Sequence, residues 1–142
     1  MDKPYRCSDL LAVTQGKLAP PPCDLAMGIQ IVHCERGVAQ AQWVASEMLL
    51  NGHGVIMGGL VSAATDAVMA YAIASCLQDH QSFTSIDLQT TYHRPARSGR
   101  LDIEARVRQC GRTIAYLVGE VYQEDKLVAT STSSVLIRSS SK

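Results

Sequence analysis

Neither sign of charge is in excess in this sequence: thirteen Lys plus Arg balance thirteen Asp plus Glu across 142 residues. Without a basic surplus there is no footprint for holding nucleic acid through its phosphates. Without an acidic surplus there is no solvated acidic tail. Charge of either sign is also scarce, at 18% against roughly 25% in ordinary soluble domains. Part of the surface is therefore expected to be covered by another subunit. Aromatic residues make up only 5%, so the core has to be built from aliphatic side chains and alanines.

Other absences narrow the chemistry. The five cysteines, Cys7, Cys23, Cys34, Cys76 and Cys110, are odd in number and form no CxxC pair. They read as reduced, mostly buried thiols of a cytoplasmic protein rather than a disulfide framework. Met1 to Leu10 lacks the apolar centre of a signal peptide. Val55 to Leu77 is long enough to span a bilayer, but it is rich in Gly, Ala, Ser and Thr and carries Asp66 at its middle. A charge there costs about 2.5–3.5 kcal/mol on insertion scales, which excludes a membrane span. The four histidines, His33, His53, His80 and His93, lack ligand spacing, so no metal is expected. No P-loop, GxGxxG or GxSxG is present, and no cofactor is expected.

What is present is an ordered set of elements in a single domain covering 1–142, with its core at about 28–137. A short helical segment is predicted from Ser8, as its N-cap, to about Leu18. Ala19-Pro20-Pro21-Pro22 ends it and begins an extended run. Gly28–Cys34 and Val38–Val44 read as strands joined by a turn at Glu35-Arg36-Gly37. Met57–Cys76 is the strongest helix. Strands follow at Ser85–His93, with Ile86, Leu88 and Tyr92 on one side, then at Leu101–Arg108, Thr113–Gln123 and Leu127–Ile137. The turns between the last three fall at Gly111-Arg112 and Glu124-Asp125-Lys126, and Arg138–Lys142 reads as a frayed tail. The long helix has no polar face, and a helix apolar all round must be buried all round. The pattern is that of an α+β hotdog fold: a curved antiparallel sheet of five to six strands wrapped around a long central helix.

The helix contains the residues of interest. Gly58 and Gly59 occupy its first turn, where glycine disfavours helix by about 1 kcal/mol per residue but admits a close neighbour, whether backbone, packing partner or ligand. Free N–H groups there carry partial positive charge and bind anions or polarised carbonyls. Gly59, Ser62 and Asp66 fall on one stripe, with Met69 and Ala70. A carboxylate placed there is paired, protonated or functional; a purely structural Asp66 would be bonded to Ser62 or to a neighbouring strand.

Asn51-Gly-His-Gly-Val-Ile-Met57-Gly58-Gly59, followed by Asp66, resembles the helix entry of hotdog-fold acyl-CoA thioesterases of the phenylacetate-pathway type, similar also to the thioesterase superfamily member 2 group. The resemblance continues through Ser85-Ile-Asp-Leu-Gln-Thr-Thr-Tyr-His-Arg94-Pro95-Ala96 and Gly99, then Cys110-Gly111-Arg112-Thr113, then Lys126-Leu-Val-Ala129. It implies hydrolysis of a small aryl- or medium-chain acyl-CoA to free acid and CoA. Gly58 would offer its N–H to the thioester carbonyl, and Asp66 of the other subunit would act as nucleophile or general base. Asn51 would hold the carbonyl or the water, and Ser85 would position the water or support Asp66. Met57, Gly59, Ser62 and Gly111 would line the substrate. Arg94, Arg97, Arg100 and Arg112, taken as one cluster, would face the CoA phosphates. The implied assembly is a homodimer with intersubunit sites, paired into a homotetramer. Thr113–Val121, apolar on both faces, fits that reading by needing cover on both. One departure is that the family's histidine is Met57 here, which neither donates a hydrogen bond nor shuttles a proton. That substitution supports the alternative of a non-catalytic acyl-CoA-binding or assembly protein. A hydratase or dehydratase on this fold lacks its usual His-acid pair. His53 reads as an exposed loop residue that could reach the same space as the missing histidine. The acyl pocket would depend on Met69, Tyr71 and Leu77.

Overall fold

The chain order alternates local hairpins with one long excursion, and that excursion builds the fold. A computed structural model of the protein describes residues 3–140. β1 (Ile29–Glu35) and β2 (Val38–Ala45) form a hairpin through Arg36-Gly37, both at positive φ (52° and 79°), the geometry that matches strand twist in a two-residue turn. The chain then passes a 3-10 turn at Glu47–Leu49 and the long helix α3 (Gly58–Ala74). It returns to the sheet as β3 (Gln81–Ser85) and β4 (Gln89–Tyr92). β5 (Gly99–Cys110), β6 (Ile114–Gln123) and β7 (Lys126–Ser139) complete it by hairpins. All pairings are antiparallel, in the order β1-β2-β5-β6-β7-β3, with β4 also on β7. Seven segments thus fill six positions, and α3 carries the chain from one part of the sheet to its far edge. This is the expected hotdog arrangement.

The concave face of the sheet holds the core. Trp43, Leu101, Ile103, Leu117, Val121 and Val128 meet Val61, Val68 and Ile73 of the helix, all almost fully buried. α3 comes so close to β6 that a Cβ on Gly119 would stand 2.5 Å from Thr65 Cγ2 and 3.1 Å from Met69 Cε. Ahead of the sheet, α1 (Cys7–Thr14) and α2 (Pro22–Met27) pack against β1 and α3. Two bonds tie α2 in place: Trp43 Nε1 donates to the Met27 carbonyl at 2.8 Å, and the Tyr71 hydroxyl donates to Asp24 at 2.5 Å. Among the described residues no helix is long and apolar enough to cross a membrane.

Several expectations are corrected. Ser8 is not the N-cap of α1: Arg6 is, with the Asp9 carboxylate accepting from its N–H at 2.8 Å, while Ser8 turns to Asp79. The proline run does not stay extended, because Pro22, with φ already set near the helical value, opens α2 at its first position. The strand expected over Ser85–His93 breaks at Asp87, whose carboxylate accepts from the Ser134 N–H and whose carbonyl accepts from Ser133 Oγ. The alternation of Ile86, Leu88 and Tyr92 is lost with it, and Ile86 is exposed. The expected frayed tail is strand through Ser139; Ser141 and Lys142 lie outside the described residues, as do Met1 and Asp2. Of the five cysteines, Cys23, Cys76 and Cys110 are exposed, so the thiols are not mostly buried. Finally, α3 is not covered all round. Gly59, Ala63 and Asp66 are exposed along one stripe, whereas Met69 turns inward to β6.

Candidate active site

The candidate residues separate into two groups at different places on α3. The first surrounds its N-terminus. Asn51 holds the preceding loop, its Oδ1 accepting from the N–H of His53 at 2.9 Å and of Val55 at 3.4 Å. Only the side-chain oxygen can accept those bonds, so the NH2 group is left for a ligand. His53 itself is an exposed loop residue. Met57 is the N-cap, half exposed, with no side-chain capping bond. Among the described residues the N–H groups of Leu60 and Val61 return to the Met57 carbonyl, while those of Gly58 and Gly59 make no bond. Two free donors at a helix N-terminus form a site for a partly negative oxygen. Gly58 lines a pocket of about 340 Å³ together with Asn51, Val61, Tyr92 and Arg94, while Gly59 lies on the exposed stripe of the helix beside it.

The second group lies two turns further on. Asp66 and Ser85 line a separate pocket of about 400 Å³ with Leu10, Met69, Phe83 and Val135. Ser85 Oγ donates to Asp66 Oδ1 across a long 3.4 Å, so the acid is bonded to a strand and not to Ser62. Asp66 keeps one side on the exposed stripe, yet partial removal from water beside these apolar neighbours raises its carboxyl above the ordinary range, and the Ser85 bond pulls the other way. Four thiols offer no competing nucleophile: burial raises Cys7, Cys23 and Cys76, and lifts Cys34 to about 11.

Eight residues of helix place Gly58 about 12 Å from Asp66. No single carbonyl carbon can be within bonding reach of both in one chain. Ser62 lies between them and takes part in a hydroxyl network, donating to Thr90 Oγ1 and lying 2.8 Å from the Tyr92 hydroxyl. The arginines do not form one cluster within a chain. Arg94 and Arg97 precede β5, whereas Gly111 and Arg112 follow it, roughly 35 Å along the strand. Arg97 pairs with Glu124 and Arg100 with Asp102, and Arg94 donates to the Leu127 carbonyl. Arg94 alone lines the Gly58 pocket.

Sequence reasoning missed three things. Tyr92 donates to the Gly58 carbonyl at 2.6 Å; its only signal was its place in the Thr-Thr-Tyr-His-Arg94 run. The N-terminal segment, through Leu10, Pro21 and Cys23, walls the Asp66 pocket, and nothing in its sequence marks this. The buried Asp24–Tyr71 pair stands on the same wall, with burial, and then the Asp24 bond, pushing the Tyr71 hydroxyl far up and keeping it a donor. Met69 and Tyr71 do line this pocket, but Leu77 belongs to the core.

A curled antiparallel sheet on a central helix is the architecture that this chain shares with solved thioesterase-like proteins. The profile of the Thioesterase superfamily matches residues 53–130, more than half of the chain. The acyl-coenzyme A thioesterase PaaI of Escherichia coli strain K12 is 34% identical over 110 residues, covering 75% of this chain and 76% of its own. The medium/long-chain acyl-CoA thioesterase YigI of Salmonella typhimurium is 24% identical over 132 residues, covering 82% and 85%. Among solved structures, a phenylacetic acid degradation-related protein of Ralstonia eutropha JMP134 superposes with a TM-score of 0.85 at 30% identity, over 89% of this chain and 98% of its own. The chain belongs to the thioesterase superfamily and is a thioester hydrolase.

Proposed function

We propose that the protein hydrolyses acyl-CoA thioesters, of small aryl- or medium-chain acids, in sites built by two copies of the chain. The observation that carries this reading is the 12 Å separation, about two helical turns, between free donors and acid on a single helix. A two-fold pairing of α3 across its uncovered stripe at Gly59, Ala63 and Asp66 would set the donors of one copy opposite the acid of the other. The thioester carbonyl then accepts from the Gly58 N–H and the Asn51 NH2. Asp66 of the second copy takes a proton from water as the water oxygen bonds to the carbonyl carbon. Alternatively it attacks that carbon itself and forms an anhydride that water opens. Either way the C–S bond breaks, CoA leaves as its thiol, and the acid is released. Ser85 steadies the acid. Arg94 stands at the mouth for a CoA phosphate; Arg97 and Arg112, and Gly111 beside it, reach the nucleotide only from their own ends of β5. Met57, being apolar, leaves both donors and acid in place. Outward Ile114 and Tyr116 of β6, both exposed, give dimers an apolar face on which to pair as a tetramer.

The test is release of free CoA, followed by chromatography, from a panel of short, medium and aryl acyl-CoAs. Gly58→Ala and Asp66→Asn are each expected to be inactive. Unfolded and refolded together in equal amounts, they should recover about a quarter of wild-type activity, because half the dimers are mixed and each of those has one intact site. No recovery, with mixed dimers present, overturns the shared site; no wild-type turnover on the whole panel overturns the activity. Single turnover in oxygen-18 water separates the two roles of Asp66, since only an anhydride route labels its carboxyl group.

A further inference from the structure

We infer that Tyr92 is a positioning residue for the pair of N–H donors at the entry of α3, an inference that rests on the activity proposed above. The hydroxyl end of its ring stands against Gly58: a Cβ there would lie 3.0 Å from Tyr92 Cζ and 3.2 Å from its hydroxyl oxygen. A Cβ on Gly59, by contrast, would meet only Met57 Cε, at an ordinary 3.6 Å. The glycine at 58 is therefore explained by this ring, which touches the backbone where a side chain would otherwise stand.

The hydroxyl does more than fill space. It donates to the Gly58 carbonyl at 2.6 Å, an oxygen that already receives helical bonding from the turn above and has a second lone pair for Tyr92. That carbonyl and the Gly59 N–H belong to one planar, resonant peptide group. A proton donated to its oxygen draws density from its nitrogen and makes the Gly59 N–H a stronger donor, the cooperative effect of linked hydrogen bonds. It also fixes the tilt of the first turn, and with it the direction of both free N–H groups. Beside it, Ser62 Oγ lies 2.8 Å from the Tyr92 hydroxyl and spends its one proton on Thr90 Oγ1, which stands 2.8 Å from buried Ser131 Oγ. The Ser62, Thr90 and Ser131 hydroxyls thereby join α3, β4 and β7 next to the ring, while the Tyr92 hydroxyl itself ends on the Gly58 carbonyl. Tyr92 lines the same pocket as Gly58, so its hydroxyl acts where a carbonyl oxygen would gain charge.

The test is Tyr92→Phe, which keeps the ring and removes the hydroxyl, alongside wild type and Asp66→Asn. The expected result is a fall in kcat of about tenfold, with KM within about twofold and an unchanged unfolding midpoint. In nitrogen-15-labelled protein without substrate, the Gly59 amide proton, already unbonded, is expected to move upfield and exchange more slowly as its acidity falls, with the Gly119 amide as an unmoved reference. A Tyr92→Phe enzyme with wild-type kcat overturns the inference, whatever the amide does. So does a kcat loss with no change at the Gly59 amide, because the effect then runs by another route. If Asp66→Asn keeps wild-type activity while Tyr92→Phe loses it, the acid's role fails and that of Tyr92 stands. If wild type turns over no acyl-CoA, both fail together.

Discussion

The two groups of candidate residues on α3 are held in opposite ways. At the entry of α3, Asn51 accepts two bonds from the loop, at 2.9 and 3.4 Å, and Tyr92 donates to the Gly58 carbonyl at 2.6 Å, while among the described residues the Gly58 and Gly59 N–H groups and the Asn51 NH2 stay free. Two turns later, Asp66 has one bond of 3.4 Å, from Ser85. The difference fits the work assigned to each. A donor pair that stabilises developing charge gains by being fixed before the reaction starts. A carboxylate that must take a proton or form a bond loses by being fully satisfied. Its raised affinity for protons comes from partial removal from water, which the single Ser85 bond offsets only in part.

The largest effect expected on this contrast is Asp66→Asn, which should lower kcat by about 10²–10⁴ while the fold persists, measured by CoA release and circular dichroism. A loss below tenfold would make the acid end dispensable. Next comes a change that spares both ends. Gly119→Ala pushes a methyl group into Thr65 and Met69 and is expected to destabilise by about 1–3 kcal/mol in urea unfolding, with kcat retained. If kcat falls as well, the position of α3 on the sheet matters to the site.

Ser85→Ala should lower kcat by about fivefold. It should also move the acid limb of kcat/KM to higher pH, because it removes the one bond that favours the charged form of Asp66. The smallest effect is on stability. A carboxyl with a raised folded pKa binds more protons folded than unfolded, so stability falls as pH rises from the ordinary carboxylate value through the raised one. Asp66→Asn is therefore expected to melt slightly higher than wild type at pH 7, with the gap closing below about pH 4. A lower melting point at pH 7 would make Asp66 a structural residue.

The main elements and the family were legible in the sequence because they rest on local rules. A long charge-poor run after a glycine-rich loop placed α3, periodicity placed the long strands, and the turns at Gly37 and Gly111 came from residue type. Gly58, Asp66 and Ser85 were legible through the spacing of family motifs. Asp87 was not: its carboxylate breaks the third strand by bonding to Ser134, 47 residues away, and no local pattern carries that. Nor was the N-terminal segment, whose proline run gives no hint that α2 would wall a pocket beside Asp66.

The sequence alone determined that one helix would carry both the glycine pair and the acid, and that their spacing would set them two turns apart. Side-chain period and helical rise follow from the covalent chain. Only the tertiary structure decided that the arginines before and after β5 lie far apart, that α3 keeps an uncovered stripe, and that Tyr92 returns from β4 to the first turn of the helix. Those facts depend on strand register and on how the sheet curls over α3. Both are set by close packing between segments distant in sequence, such as Gly119 against Thr65 and Tyr92 against Gly58.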